Sequence, residues 1–163
     1  MRGLLAALTL ALTPGAAAAF CGDMYPVLQC QIGTKSVKVC VGQGQATYAF
    51  GPRGAEPELS LTRSLADVQA TPWPGIGRSI WEDITFENKG TRYRVWVAVD
   101  RMAGELPGRG GVVVSQGDET LANLECQDGS VDLSIFAIAD AMLEAGFCAD
   151  YDSQLYSKAA CAD

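Results

Sequence analysis

The chain has 163 residues, six cysteines, no histidine, and 12 Lys and Arg against 19 Asp and Glu. This length fits one domain with a sizeable core. Without histidine, Ser-His-Asp and Cys-His catalysis and His-containing zinc sites are excluded. The net charge of −7 argues against nucleic acid or an anionic membrane surface as partner, because both repel an acidic protein.

The first 19 residues have the composition of a cleavable signal peptide. Arg2 supplies the positive charge, an apolar segment runs from Leu4 to Thr13, and alanines occupy positions 16–19. We expect cleavage after Ala19, and a membrane span would need ~20 apolar residues. The mature chain, 20–163, is then one β-rich domain without a membrane span, periplasmic or secreted. A lipidated Cys21 is the alternative reading, although Phe20 precedes it where a small residue is usual.

From about residue 28 to 125 the chain carries short alternating apolar segments, separated by Gly, Pro, Asn and Asp. This spacing is typical of a sandwich or small barrel. Val37, Val39 and Val41 alternate with polar residues or cysteine, whereas Gln69–Ser79 follows no period and is predicted to be irregular. Two further strands are predicted at Gly111–Ser115 and Leu121–Cys126, with a turn at 116–118.

The clearest hairpin is predicted at Ile80–Glu87 and Thr91–Val99, with a turn at Lys89-Gly90. This turn places Phe86 opposite Tyr93 on one apolar face, and Ile84 opposite Val95. The same register places Glu87 opposite Arg92 on the solvent face. A slip of one residue would place Phe86 against Arg92, so the register is well specified.

After Gly129 the apolar residues recur at helical spacing, from Ile135 to Leu143. Ser134 is the predicted N-cap and Gly146 the predicted stop. An acidic tail follows from Asp150. The predicted fold is therefore mainly β: an antiparallel sandwich or small barrel of about eight strands, followed by a C-terminal helix.

All six cysteines follow the predicted cleavage point, and an even count in an oxidising compartment predicts three disulfides. The sequence does not choose among the possible connectivities. Our working prediction is Cys30–Cys40, Cys126–Cys148 and Cys21–Cys161. No Cys-x-x-Cys pair is present, so neither a redox motif nor a zinc knuckle is indicated.

Enzyme signatures are poor: the chain has no P-loop, no G-x-S-x-G elbow and no dinucleotide fingerprint. We predict no catalytic residue, no metal and no cofactor. A carboxylate-dependent hydrolase is the alternative, but Asp83 and Glu87 on a strand, and Asp128 and Asp132 near a turn, are interpreted as solvated charges. The glycine-rich residues 108–111 precede a strand rather than a helix and are interpreted as a flexible loop.

The segment at 71–81, Thr-Pro-Trp-Pro-Gly-Ile-Gly-Arg-Ser-Ile-Trp, carries the most information. Two prolines stiffen it and two glycines permit a tight turn. A stiff loop loses little entropy on binding, and Trp and Arg are enriched at interface hot spots. We predict a binding loop with Arg78 and Ser79 at its tip and Trp73 or Trp81 as anchors. A purely structural crossover is the alternative.

The chain resembles a group of small exported bacterial β-proteins with no assigned activity. The resemblance rests on SVKVC at 36–40, YAFGP at 48–52, PELSL at 57–61, WPGIGRSIWE at 73–82 and LANLEC at 121–126. It implies the fold and the compartment, and no function.

A weaker similarity runs to periplasmic lysozyme inhibitors, which insert a loop bearing a Ser and a basic residue into the lysozyme cleft. Arg78-Ser79 has this chemistry, since a guanidinium pairs with a carboxylate in a fork. The acidic body suits a basic lysozyme-like partner. The predicted function is an exported protein-binding module that acts through the loop at residues 73–81, with a lysozyme-type inhibitor as its most specific form. A structural or stress-resistance protein of the envelope is the alternative.

Overall fold

A computed structural model describes residues 20–103 and 108–162, so the predicted signal peptide and its cleavage site lie outside it. The first antiparallel sheet contains β1 (Tyr25–Ile32), β2 (Lys35–Gly42), β3 (Gln45–Pro52), β4 (Leu59–Ser64) and β10 (Asp132–Leu133), in the order β10-β1-β2-β3-β4. The second contains β5 (Gln69–Thr71), β6 (Ser79–Asn88), β7 (Thr91–Asp100), β8 (Gly108–Gln116) and β9 (Glu119–Glu125), in chain order.

The two sheets pack face to face as a sandwich, because each strand turns its apolar positions inward. Val37, Val39 and Val41 are fully buried, and the Tyr48 ring lies 5.6 Å from the rings of both Phe86 and Tyr93 across the core. The mainly-β class and the sandwich are confirmed. The two sheets hold ten strands rather than about eight, partly because β5 forms inside the segment predicted to be irregular.

The central hairpin has the predicted register. Phe86 lies opposite Tyr93, Ile84 opposite Val95, and the turn falls at 89–90 between β6 and β7. Lys89 and Gly90 both have positive φ, at 51° and 79°. Such a turn matches the twist of the two strands that it joins.

A single α-helix among the described residues, α1 (Ala137–Glu144), closes one end of the sandwich and contacts β1, β2 and β6. The predicted helix is confirmed, and Gly146 follows it with φ 77°. The predicted N-cap at Ser134 is wrong. Phe136 takes the cap position in a left-handed conformation with no side-chain capping bond of its own. An acceptor from another strand, described below, takes that role.

The predicted disulfide pairing is wrong in all three bridges, although three bridges do form. They join Cys21–Cys40, Cys30–Cys126 and Cys148–Cys161. Cys30 lies opposite the inward-facing Val37, whereas Cys40 alternates with the inward valines and therefore faces the other way. Two cysteines on opposite faces of a sheet cannot bridge.

The last bridge joins Cys161, in the predicted acidic tail, to Cys148, just before that tail. Cys148 begins β11 (Cys148–Asp150), which pairs with β12 (Leu155–Ser157) and is followed by a 3-10 turn at Ala159–Cys161. Three disulfides indicate an oxidising compartment outside the cytoplasm. Among the residues described, no helix has the length and apolarity that crossing a membrane requires.

Candidate functional site

The predicted binding loop is an exposed connection between β5 and β6. The Trp73 indole Nε1 donates a hydrogen bond to the carbonyl oxygen of Ile76, at 3.0 Å. The Phe136 ring centroid lies 6.3 Å from that of Trp73, and the Arg101 guanidinium lies 5.7 Å from the Trp73 ring centroid. The hydrogen bond joins Trp73 to the carbonyl of Ile76 within the loop, and the two ring contacts fix Trp73 against residues outside the loop. The loop is therefore preorganised.

Arg78 already has an acidic partner within the chain. Its Nε and Nη2 both donate to Asp100 Oδ2, at 2.8 and 2.7 Å, while Asp100 Oδ1 accepts from the Met102 backbone N–H at 3.0 Å. The Arg78 guanidinium, followed by that N–H, lowers the pKa of Asp100 below its ordinary value. The Arg78 side chain is still 71% exposed. The pair therefore fixes Arg78 at the surface and partly neutralises it.

Sequence reasoning missed the residue at the tip of this loop. Ile76 is 73% exposed, between Gly75 and Gly77, whose φ values are 81° and 95°. Glycine is the usual residue at such angles, and here it lets the backbone turn the isoleucine outward. An apolar side chain flanked by two glycines was the available signal. Ser79, which follows on β6, is also exposed.

Trp81 does not belong to this loop. It lies inside β6, on the outer face of the second sheet, and is half-buried there. The four predicted binding residues therefore divide between two surfaces: Trp73, Arg78 and Ser79 at the loop, and Trp81 on the sheet.

The second surface is an open groove of about 470 Å³ across β6, β7, β8 and β9, which we call the outer groove. Its lining consists of Trp81, Asp83, Arg94, Trp96, Val113, Asn123 and Glu125. These residues share one face because each alternates with an inward apolar residue on its strand. A volume in this range is typical of small-ligand sites.

Glycine at position 111 makes room for the largest side chain of the outer groove. Trp96 pairs with Gly111 across β7 and β8. A Cβ at position 111 would lie 2.9 Å from Trp96 Nε1, 3.1 Å from Trp96 Cε2 and 2.5 Å from the Leu124 carbonyl oxygen. The indole therefore packs directly against the bare backbone, as aromatic side chains do over glycines in sheets.

The charges of the outer groove are largely paired. Asp83, interpreted above as solvated, is only 6% exposed, and its Oδ2 lies 3.3 Å from Arg94 Nη1. Burial raises the pKa of Asp83, and the Thr71 hydroxyl and the Arg94 guanidinium offset part of that rise. Glu125 Oε2 lies 3.8 Å from Arg109 Nη2. Two acids thus face two bases.

Glu82 is a second buried carboxylate, and it lies on the inner face of β6, opposite to the face that carries Asp83. It is 1% exposed, and its Oε1 accepts a hydrogen bond from the Ala139 backbone N–H at 3.0 Å, so it caps α1 from β6. Its Oε2 has no hydrogen-bond partner among the described residues. Burial raises the pKa of Glu82 to about 7, against the backbone N–H groups of α1, which lower it. Because Glu82 and Asp83 occupy opposite faces of β6, they do not share a cleft.

Within residues 20–103 and 108–162, no group of three or more His, Cys, Asp or Glu side chains is placed to hold a metal ion. Comparisons with protein-family models, curated proteins and solved structures found no match to this chain.

Proposed function

We propose that this chain is an exported binding module of the bacterial envelope, which recognises another protein through the loop at residues 72–79. One observation carries the proposal: Ile76 is exposed to water at the tip of a loop, and its own carbonyl oxygen accepts the hydrogen bond from the Trp73 indole. An exposed apolar side chain on a preorganised loop can bind without the entropy cost of ordering. Arg78 beside it supplies a charged contact of the type common at hot spots.

The partner that we propose is a basic lysozyme-like enzyme. The net charge of −7 favours encounter with a basic protein through long-range steering. At contact, Ile76 would enter the cleft first. Because Asp100 engages Nε and Nη2 of Arg78, the remaining Nη1 would meet a carboxylate of the enzyme. We also propose that the signal peptide is cleaved near Ala19 and that the mature protein is periplasmic or secreted.

The test is a titration of the oxidised mature protein against several lysozyme types, with residual lytic activity as the readout. We expect stoichiometric inhibition of at least one type. Ile76→Ala should weaken it about tenfold or more, as expected for an apolar hot spot. Arg78→Ala should weaken it as well, with an unchanged melting temperature, because exposed ion pairs contribute little to stability.

Leu143→Ala is the matched control, since Leu143 is an exposed aliphatic residue, 57% accessible, on α1. It should inhibit like the wild type. Unchanged inhibition by Ile76→Ala would overturn the role of the loop. If no lysozyme type is inhibited, the proposed partner class is wrong. A pull-down would then test binding itself: a protein captured by the wild type but not by Ile76→Ala would support a binding role for the loop with a different partner. Unfolding of both loop variants would favour the structural reading.

A further inference from the structure

We propose that the outer groove is a binding site for an uncharged oligosaccharide, with sugar rings stacked on Trp96 and Trp81 and hydroxyl groups bonded to Asp83, Arg94 and Asn123. This site differs from the protein-binding loop in its position, its residues and its chemistry. It does not depend on the function proposed for the loop.

The stacking surface is built by Trp96 and Gly111. One side of the indole packs against the bare backbone at position 111, where a Cβ would come within 2.9 Å of it. Trp96 nevertheless remains only partly buried. The face of an aromatic ring carries partial negative charge, so it attracts the weakly positive C–H groups on the flat side of a sugar ring. A glycine in a strand also marks a site where another group approaches the backbone closely.

The polar groups favour a neutral ligand. Asp83 is paired with Arg94 at 3.3 Å and Glu125 with Arg109 at 3.8 Å, so neither sign of charge dominates the groove. A charged ligand would have to break one of these pairs. Hydroxyl groups can instead donate to the carboxylates and accept from the guanidinium while both pairs stay intact. The Asn123 amide, exposed on β9, can do both.

The shape of the groove and the charge of the protein exclude two other classes of ligand that bind aromatic side chains. Side chains on one face of a sheet stand side by side, whereas a quaternary ammonium group needs aromatic rings that enclose it. Nucleic-acid bases also stack on such platforms, but that binding relies on a positively charged groove, and this protein carries −7. The groove crosses four strands, roughly 14 Å at the usual strand spacing, which accommodates more than one sugar ring.

The first experiment uses the three tryptophans as separate reporters. Indole N–H signals of the ¹⁵N-labelled wild-type protein are followed by NMR while hexa-N-acetylchitohexaose, cellohexaose and maltohexaose are added in turn. We expect at least one of these neutral hexamers to bind with a Kd of about 1 mM or tighter, shifting the Trp81 and Trp96 signals. The signal of Trp73, which lies in the loop, should not move. This measurement needs no variant and therefore no assumption about folding.

Variants then assign the binding, measured by calorimetry with the hexamer that binds. Trp96→Ala should weaken it at least tenfold, Trp96→Phe should keep most of it, and Asn123→Ala should weaken it several-fold. Ile76→Ala and Arg78→Ala are the controls and should bind like the wild type, which separates this site from the loop.

Three results would overturn the proposal: no binding of any neutral hexamer in this range, shifts confined to Trp73, or tighter binding of a galacturonate hexamer, which is charged. A lysozyme that shifts Trp81 and Trp96 instead of Trp73 would assign the groove to protein recognition, and would also contradict the role given to the loop.

Discussion

Removing the Cys30–Cys126 disulfide, by Cys30→Ala and Cys126→Ala together, is expected to lower the free energy of unfolding by about 4–5 kcal/mol. The bridge joins β1 of the first sheet to the residue that follows β9 of the second, across a sequence separation of 96. A crosslink over so long a loop restricts the unfolded chain strongly. Cys30 is also 1% exposed in the core, so its loss removes packing as well.

The matched control is Cys148→Ala with Cys161→Ala. That bridge closes a separation of only 13 and ties β11 to the end of the chain, so its removal should cost about 3 kcal/mol or less. Denaturant unfolding of the two double variants gives the comparison. Equal losses would contradict the ranking, and a non-reducing peptide map that recovered Cys30 linked to Cys40 would contradict the bridge itself.

The central hairpin was predictable because its information is local. Apolar residues alternate on both strands, and the short turn at 89–90 fixes which of them face each other, so Phe86 and Tyr93 could be paired from the sequence alone. The disulfides were not predictable in the same way. Cys30 and Cys126 meet only because two sheets pack face to face, and no short-range pattern encodes that contact.

The half of the outer groove that lies on β6 and β7 could be predicted from the sequence. The correct hairpin register already places Asp83 opposite Trp96, on the face opposite to that of Phe86. The part of the groove formed by β8 and β9 could not be predicted, because the sequence indicated a flexible loop at Gly111. In the structure Gly111 lies in β8, and the Trp96 indole packs against its backbone. The loop prediction was wrong in grouping Trp81 with Trp73, since β6 begins at Ser79 and carries Trp81 onto the sheet.

The N-cap of α1 also could not be predicted from nearby residues. Ser134 satisfies the local rule for an N-cap, yet the acceptor for the helix is Glu82, more than fifty residues earlier in the chain. Phe136 can then hold the cap position with φ 71° and no bonding side chain. A carboxylate near the N-terminus of a helix also interacts favourably with the helix dipole. In Glu82 this gain is opposed by the cost of burying the charged carboxylate.

Burial gives Glu82 a pKa of about 7 in the folded protein, against an ordinary value of 4.5. The folded state therefore holds a proton between these values that the unfolded state has released. The contribution of this group to stability should be largest below about pH 4.5, fall as the pH rises towards 7, and level off above it. At 1.36 kcal/mol for each pH unit, the loss from this group is about 3 kcal/mol. Asp83, whose pKa is also raised, adds to the slope with the same sign.

Glu82→Gln is expected to remove most of this slope. A glutamine presents a carbonyl oxygen to the Ala139 N–H, as the protonated acid does, but never carries the charge. The variant should match the wild type near pH 4.5 and exceed its free energy of unfolding by up to about 3 kcal/mol at pH 8. Denaturant unfolding across this pH range measures both effects.

Two further variants show whether charge or hydrogen bonding is responsible. Glu87→Gln neutralises an exposed carboxylate on the same strand and should keep the wild-type slope. Glu82→Leu should be less stable than Glu82→Gln at every pH, because it leaves the Ala139 N–H without an acceptor in a buried site. If Glu82→Gln showed the full wild-type slope, the pH dependence would belong to another group. If Glu82→Leu matched Glu82→Gln, the bond from β6 would contribute nothing to holding α1 against the end of the sandwich.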